Sequence, residues 1–136
     1  MTPVKALNHV GIAVRSIAEQ QPFYEDTLGA EFEGLEEVAS QKVRVAFFRI
    51  HEVRLELLEP TDPSSPVAKF LEKRGEGLHH LAFTVENIQD RIAELKASGM
   101  RMIDETPRVG AHHMQIAFVH PKSTHGILTE LCQPPV

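Results

Sequence analysis

The stretch His9-Val-Gly-Ile-Ala-Val-Arg-Ser-Ile17 returns later in the chain as His80-Leu-Ala-Phe-Thr-Val-Glu-Asn-Ile88, at an offset of 71 residues. The same offset superimposes Arg44-Val-Ala-Phe-Phe-Arg49 on Gln115-Ile-Ala-Phe-Val-His120. A third match, Arg54-Leu-Glu-Leu-Leu58 with Leu128-Thr-Glu-Leu-Cys132, comes at an offset of 74. The change of offset falls in a turn, where His120-Pro-Lys-Ser-Thr-His-Gly126 replaces the shorter His51-Glu-Val53. Loops tolerate such insertions. Three matches in order across one loop insertion read as a tandem duplication.

Each copy reads as βαβββ. Residues 6–14 alternate, with Val10, Ile12 and Val14 on one side and His9, Gly11 and Ala13 on the other. Ser16 and Glu19 have capping-box spacing, so a helix follows, with Pro22 in its first turn or displacing its start, and Gly29 ending it. Residues 31–38, 43–50 and 53–59 read as three more strands. The second copy repeats the pattern: strand 78–85, a helix capped by Asn87 and running to about Ser98 before Gly99, then strands near 101–105, 114–120 and 126–132. Between the copies Pro66 opens a helix that reaches Arg74 before Gly75, and its Val67, Phe70 and Leu71 make it a packed element. The expected fold class is α+β, with two tandem βαβββ modules (about 5–60 and 77–133) and a connecting helix (about 65–75) in a single domain, 1–136.

Composition sets the outer limits. The 136 residues are 42% apolar and 24% charged, ordinary for a globular domain. Charges or glycines interrupt every hydrophobic stretch, which excludes a membrane-spanning apolar run. The N-terminus has neither the apolar region of a signal peptide nor the Arg-rich character of a transit peptide, so a reducing cytoplasm is the expected location. Cys132 is the only cysteine, which excludes an internal disulfide and a Cys-based zinc site. The net charge is −5 and the 14 basic residues are scattered, which argues against nucleic acid as a partner. An anionic small molecule needs only a few local cations.

The pairs that fall on repeat-equivalent positions are His9 with His80 and Glu56 with Glu130. Alternation separates His80 from its neighbour: His79 lies on the side of Leu81, Phe83 and Val85, while His80 shares a face with the small Ala82 and Thr84. Two imidazoles and two carboxylates suit a divalent metal such as Co, Mn, Ni, Fe or Zn. Glu56 and Glu130 sit among Leu55, Leu57, Ile127 and Leu131, and an inward carboxylate in such surroundings needs a compensating charge. A lone strand His is more often structural, and a lone strand Glu more often solvated. It is the repeat equivalence of all four that favours a joint metal site.

With these residues the chain resembles the vicinal oxygen chelate (glyoxalase-like) superfamily and, within it, the methylmalonyl-CoA epimerase family. The resemblance is carried by Leu7-Asn-His-Val-Gly-Ile-Ala-Val14, Phe23-Tyr-Glu-Asp-Thr-Leu-Gly29, Leu55-Glu-Leu-Leu-Glu-Pro60 and Ser65-Pro-Val-Ala-Lys-Phe-Leu71. It continues through Gly75-Glu-Gly-Leu-His-His-Leu-Ala-Phe83, Asp104-Glu-Thr-Pro-Arg-Val-Gly-Ala-His112 and Phe118-Val-His-Pro-Lys-Ser-Thr-His-Gly-Ile-Leu-Thr-Glu-Leu131. It implies a cupped mixed sheet around one divalent ion, with cobalt expected and Mn, Ni or Zn as alternatives. The implied ligands are His9, Glu56, His80 and Glu130. It further implies an acyl-CoA thioester substrate bound through its thioester and carboxylate oxygens, loss and return of its α-proton, and a homodimer.

One departure matters. Some members carry a Glu base on the strand matching Arg44-Val45-Ala46 and a Gln as fourth ligand, whereas this chain has Val45 and Glu56. A valine cannot take a proton, so the acid/base roles are expected to fall on Glu56 and Glu130. Lys122 is a candidate contact for an anionic part of the substrate, and His112, beside His113, for a loop over the site. Phe47 and Phe118 read as core, and Glu25-Asp26 and Glu36-Glu37 as solvated charges. The same fold and ligands would suit a glyoxalase I acting on a glutathione hemithioacetal, and a metal-free drug-binding module shares the fold. A non-haem iron dioxygenase fits less well, because it prefers open coordination positions to a fourth ligand.

Overall fold

Alternating small and branched residues give the first strand, β1 (Ala6–Ala13), in the computed structural model, which describes residues 1–135. The chain divides into two compact units, one formed by residues 9–79 and the other by residues 1–8 with the chain from His80 onward. In the first unit β1 is followed by α1 (Ile17–Pro22), β2 (Glu31–Val38), β3 (Val43–Ile50), β4 (Val53–Pro60) and α2 (Pro66–Arg74). The strands lie in the order β2-β3-β4-β1, with antiparallel hairpins except for β1, which runs parallel to β4 with Gly11 opposite Glu56. Val14, Ile17, Tyr24, Ala46, Phe48 and Leu57 form the core on the helix side of this half-sheet.

Helix α1 starts as the sequence requires, with the Ser16 side chain accepting from Glu19 N at 3.2 Å. Glu59 Oε1 accepts from Ile17 N at 2.8 Å and satisfies a second first-turn donor. Pro22 is not in the first turn. It is the last residue of α1, after which the backbone changes to a π-helical turn over Phe23–Thr27, with Leu28 N donating to Phe23 O at 3.0 Å. Proline removes an N–H and crowds the preceding turn, so the α ladder gives way there. Gly29, at φ 70°, closes the segment. Helix α2 keeps the expected bounds, with Ser65 as N-cap, accepting from Val67 N, and Gly75 as C-cap.

The second unit contains β5 (Gly77–Thr84) from His80 onward, α3 (Ile88–Ala97), β6 (Arg108–Val109), β7 (Gln115–Val119) and β8 (Thr129–Gln133), in the order β5-β8-β7-β6. Lys5 of the N-terminal residues donates its N–H to Thr84 O at 2.8 Å within this unit. β5 runs parallel to β8 with Ala82 opposite Glu130, which repeats the Gly11–Glu56 register of the first unit. Asn87 caps α3 by accepting from Asp90 N at 3.0 Å, and Val85, Ile88, Ile92, Ala117 and Leu131 are buried together beneath the helix.

Two strand expectations need correction. The segment 101–105 is not a strand: only Met102 bridges to Val119, and the edge strand is the two-residue β6. Asp104 is the cause. Its Oδ2 accepts from Phe118 N at 2.9 Å, so a side chain takes the position that a strand carbonyl would hold. The last strand begins at Thr129 rather than at residue 126, because residues 120–127 form a turn in which Gly126 N donates to Pro121 O at 2.8 Å. Ile127 is consequently exposed and does not flank Glu130. Among the described residues no helix is long and apolar enough to cross a membrane. The fold class is α+β, built from two βαβββ modules, as the repeat implies.

Candidate functional site

Each unit holds one His–Glu pair at the repeat-equivalent position. In the first, His9 of β1 and Glu56 of β4 meet with Nδ1 to Oε2 at 3.2 Å. In the second, His80 of β5 and Glu130 of β8 meet with Nε2 to Oε1 at 3.2 Å. All four are buried, at 2% (His9), 4% (Glu56), 6% (His80) and 5% (Glu130) relative exposure. Parallel pairing explains each contact. The histidine stands two residues before the glycine or alanine opposite the glutamate, so both side chains leave the sheet on one face.

A buried carboxylate is costly unless it is paired or bound to a cation. The donor set, imidazole nitrogen and carboxylate oxygen, is the one that divalent first-row metals take. Ligand atoms about 2.1 Å from an ion stand roughly 3.0–3.4 Å from one another. The observed 3.2 Å in both pairs lies within that spacing and within hydrogen-bond range alike. It is the buried imidazole and carboxylate donor set that fits a divalent ion.

The rest of each face follows the same register. Phe47 lies opposite Glu56, and Phe118 opposite Glu130. Both phenylalanines are buried as expected, yet on the His–Glu side, where the Phe118 ring makes an edge contact with His80 at 5.4 Å between centroids. His79 points the other way and meets Phe70 of α2 at 4.9 Å, as alternation requires. Val45 is 2% exposed and shares the face of Phe47.

Three residues on these faces were not singled out by sequence reasoning. Glu36 lies directly opposite Val45 and is half-buried, so of the Glu36-Glu37 pair only Glu37 is a solvated charge. Cys132 is fully buried, and its thiol donates to Glu130 Oε2 at 3.0 Å. Arg108 lies opposite Ile116, with its guanidinium carbon 5.8 Å from the centre of the Phe118 ring. The usable signal was strand alternation. For Arg108 it required a register that the irregular 101–114 segment concealed.

Several motif residues prove to shape the backbone. In the His120-Pro-Lys-Ser turn, His120 Nδ1 accepts from Lys122 N at 3.0 Å, and Ser123 Oγ accepts from Arg101 N at 2.8 Å. Partial desolvation, with the Arg101 and Lys122 charges, holds the His120 imidazole below its ordinary pKa, so it is a neutral acceptor near neutral pH. Glu76 of the Gly-Glu-Gly segment accepts from Arg15 N at 2.7 Å and from Gln20 Nε2 at 2.9 Å. Lys122 is exposed, whereas His112 is half-buried in a tight turn in which His112 and His113 both take left-handed backbone angles, at φ 56° and 58°.

Comparison with known proteins extends the geometry. Residues 8–118 match the family model described as the Glyoxalase/Bleomycin resistance protein/Dioxygenase superfamily. The chain is 48% identical over 128 residues to the Bacillus subtilis protein YqjC, covering 94% of this chain and 91% of that one. It is 39% identical to an ethylmalonyl-CoA/methylmalonyl-CoA epimerase of Cereibacter sphaeroides over 129 residues, covering 93% of this chain and 96% of that one. A solved structure of a Streptomyces coelicolor methylmalonyl-CoA epimerase variant with 2-nitronate-propionyl-CoA superimposes with a TM-score of 0.95 at 36% identity, covering 98% of this chain and 97% of that one. On the family match, the extent of these likenesses and the repeated His–Glu faces, the chain belongs to the Glyoxalase/Bleomycin resistance protein/Dioxygenase superfamily and, within it, to the methylmalonyl-CoA epimerase family.

Proposed function

We propose that this protein is an isomerase that interconverts the (R) and (S) forms of methylmalonyl-CoA, with one divalent metal held by His9, Glu56, His80 and Glu130. The observation that carries the reading is the pair of buried His–Glu contacts at repeat-equivalent positions. A metal-free binding module of this fold has no need of four such residues. A bound divalent ion would supply Lewis acidity toward the negative charge that develops on oxygen when the C2 proton leaves. Cobalt is the ion we favour, with Mn, Ni or Zn able to use the same donors.

The chain's own residues move the proton. One carboxylate accepts it from C2, and the C–H electron pair passes to the thioester carbonyl as an enolate. A second group, protonated at the start of the step, gives its proton to the opposite face of the planar carbon and is left as the carboxylate. Val45 offers no such group, so we assign the two roles to Glu130 and Glu56. Lys122 is assigned to an anionic part of the substrate, His112 to a loop over the site, and the assembly to a homodimer. The test is Glu56→Gln, followed by C2 deuterium uptake from each stereoisomer in deuterated water. Retained metal with exchange lost from one stereoisomer supports the assignment. Unchanged epimerisation would overturn it.

A further inference from the structure

The second module carries a cation on the His80–Glu130 face that no part of the metal site requires. Strand register places it. Arg108 is opposite Ile116, and Ile116 is opposite Cys132, so the three share a face. In the adjoining row Phe118 lies opposite Glu130, and Glu130 is opposite Ala82. Arg108 is therefore on the face of Glu130 and His80, one phenyl ring away from the imidazole: its guanidinium packs over Phe118 at 5.8 Å, and the Phe118 ring meets His80 at 5.4 Å.

The position is built. Asp104 Oδ1 accepts from Arg108 Nε at 3.1 Å, while Asp104 Oδ2 accepts from Phe118 N at 2.9 Å. One aspartate thus fixes both the arginine and the strand whose phenylalanine it packs on. Among the described residues, the Nε contact is the only hydrogen bond assigned to the guanidinium. Its two Nη groups form a fork suited to a carboxylate. The side chain is 36% exposed, open enough to meet a ligand. The repeat-equivalent position in the first module is Glu36, opposite Val45, so the charge is not part of the duplicated framework.

We infer that Arg108 binds the free carboxylate of the acyl group, and so sets selectivity for carboxylated over plain acyl-CoA thioesters. The inference rests on the acyl-CoA reading above. An anion approaching buried Glu130 needs a counter-charge, and an Arg held over an aromatic ring supplies one with little loss of side-chain freedom.

The test is calorimetric binding of malonyl-CoA and propionyl-CoA, which share every CoA phosphate and differ in the carboxylate. The unaltered protein is expected to bind malonyl-CoA more tightly. Arg108→Met should weaken malonyl-CoA about ten- to hundredfold and leave propionyl-CoA unchanged. Arg108→Lys, which keeps the charge against Asp104, should restore part of the selectivity. Equal weakening of both ligands, or selectivity unchanged in both variants, would overturn the inference. Selective binding by a protein that catalyses no epimerisation would remove the proposed reaction and leave Arg108 assigned. Epimerisation with selectivity independent of Arg108 would do the reverse.

Discussion

Glu130 Oε1 lies 3.2 Å from His80 Nε2 and Oε2 accepts from the Cys132 thiol at 3.0 Å, so both carboxylate oxygens have a neighbour that orients them. Replacing it by Gln keeps the shape and removes a charge and a base. Glu130→Gln should lower the rate of C2 exchange by about 10²–10⁴-fold, the usual range for a general base, and reduce metal content by elemental analysis. A different residue tests packing alone. A Cβ at Gly110 would stand 3.0–3.3 Å from side-chain atoms of Ile116, at an ordinary φ of −109°, so the penalty is steric. Gly110→Ala should destabilise by about 1–3 kcal/mol in a denaturant titration. The four His and Glu residues were legible in the sequence because duplication places them at matching positions. Arg108 and Glu36 were not, because their facing depends on cross-strand register, which side-chain types alone do not encode, whereas the placing of Cys132 beside Glu130 follows from strand alternation.

Elements with local start and stop signals were read correctly. Helices α2 and α3 begin at Ser65 and Asn87 caps and end before Gly75 and Gly99. Asn87→Ala should cost about 1 kcal/mol, read as a lower melting temperature, since Asp90 N loses its acceptor. Where one side chain overrides the pattern, the reading failed: Pro22 turns the ladder to π, and Asp104 replaces a strand by a side-chain bond. Charge ties the first hairpins together, with Glu33 of β2 contacting Arg49 of β3 at 2.7 Å and Arg54 of β4 at 3.3 Å. The Arg49 hydrogen bond, then the charges of Arg49 and Arg54, hold the Glu33 carboxyl below the usual range against some desolvation. Its contribution, up to about 1 kcal/mol for a partly exposed pair, is present above the ordinary Glu pKa of about 4.3. It is lost as pH falls through the lower folded value. Melting curves should therefore show that Glu33→Gln destabilises near neutral pH and that its gap from the unaltered protein narrows in acid.

At the scale of the whole molecule, two copies of one module each supply a buried imidazole and a buried carboxylate. The ion proposed to sit on these four residues should stabilise the chain by about 2.7 kcal/mol at a hundredfold excess over Kd. Chelation should reverse that gain in a melting scan. The central claim is that these four residues hold one divalent ion and that the two carboxylates, Glu130 and Glu56, move the C2 proton of methylmalonyl-CoA. The most direct measurement is NMR of single-stereoisomer methylmalonyl-CoA in deuterated water, with the protein and cobalt, before and after chelation. Deuterium entering C2 with loss of stereochemical purity, abolished by chelation, is the expected result. Retention of the C2 proton and configuration, with turnover of a glutathione hemithioacetal instead, would contradict it.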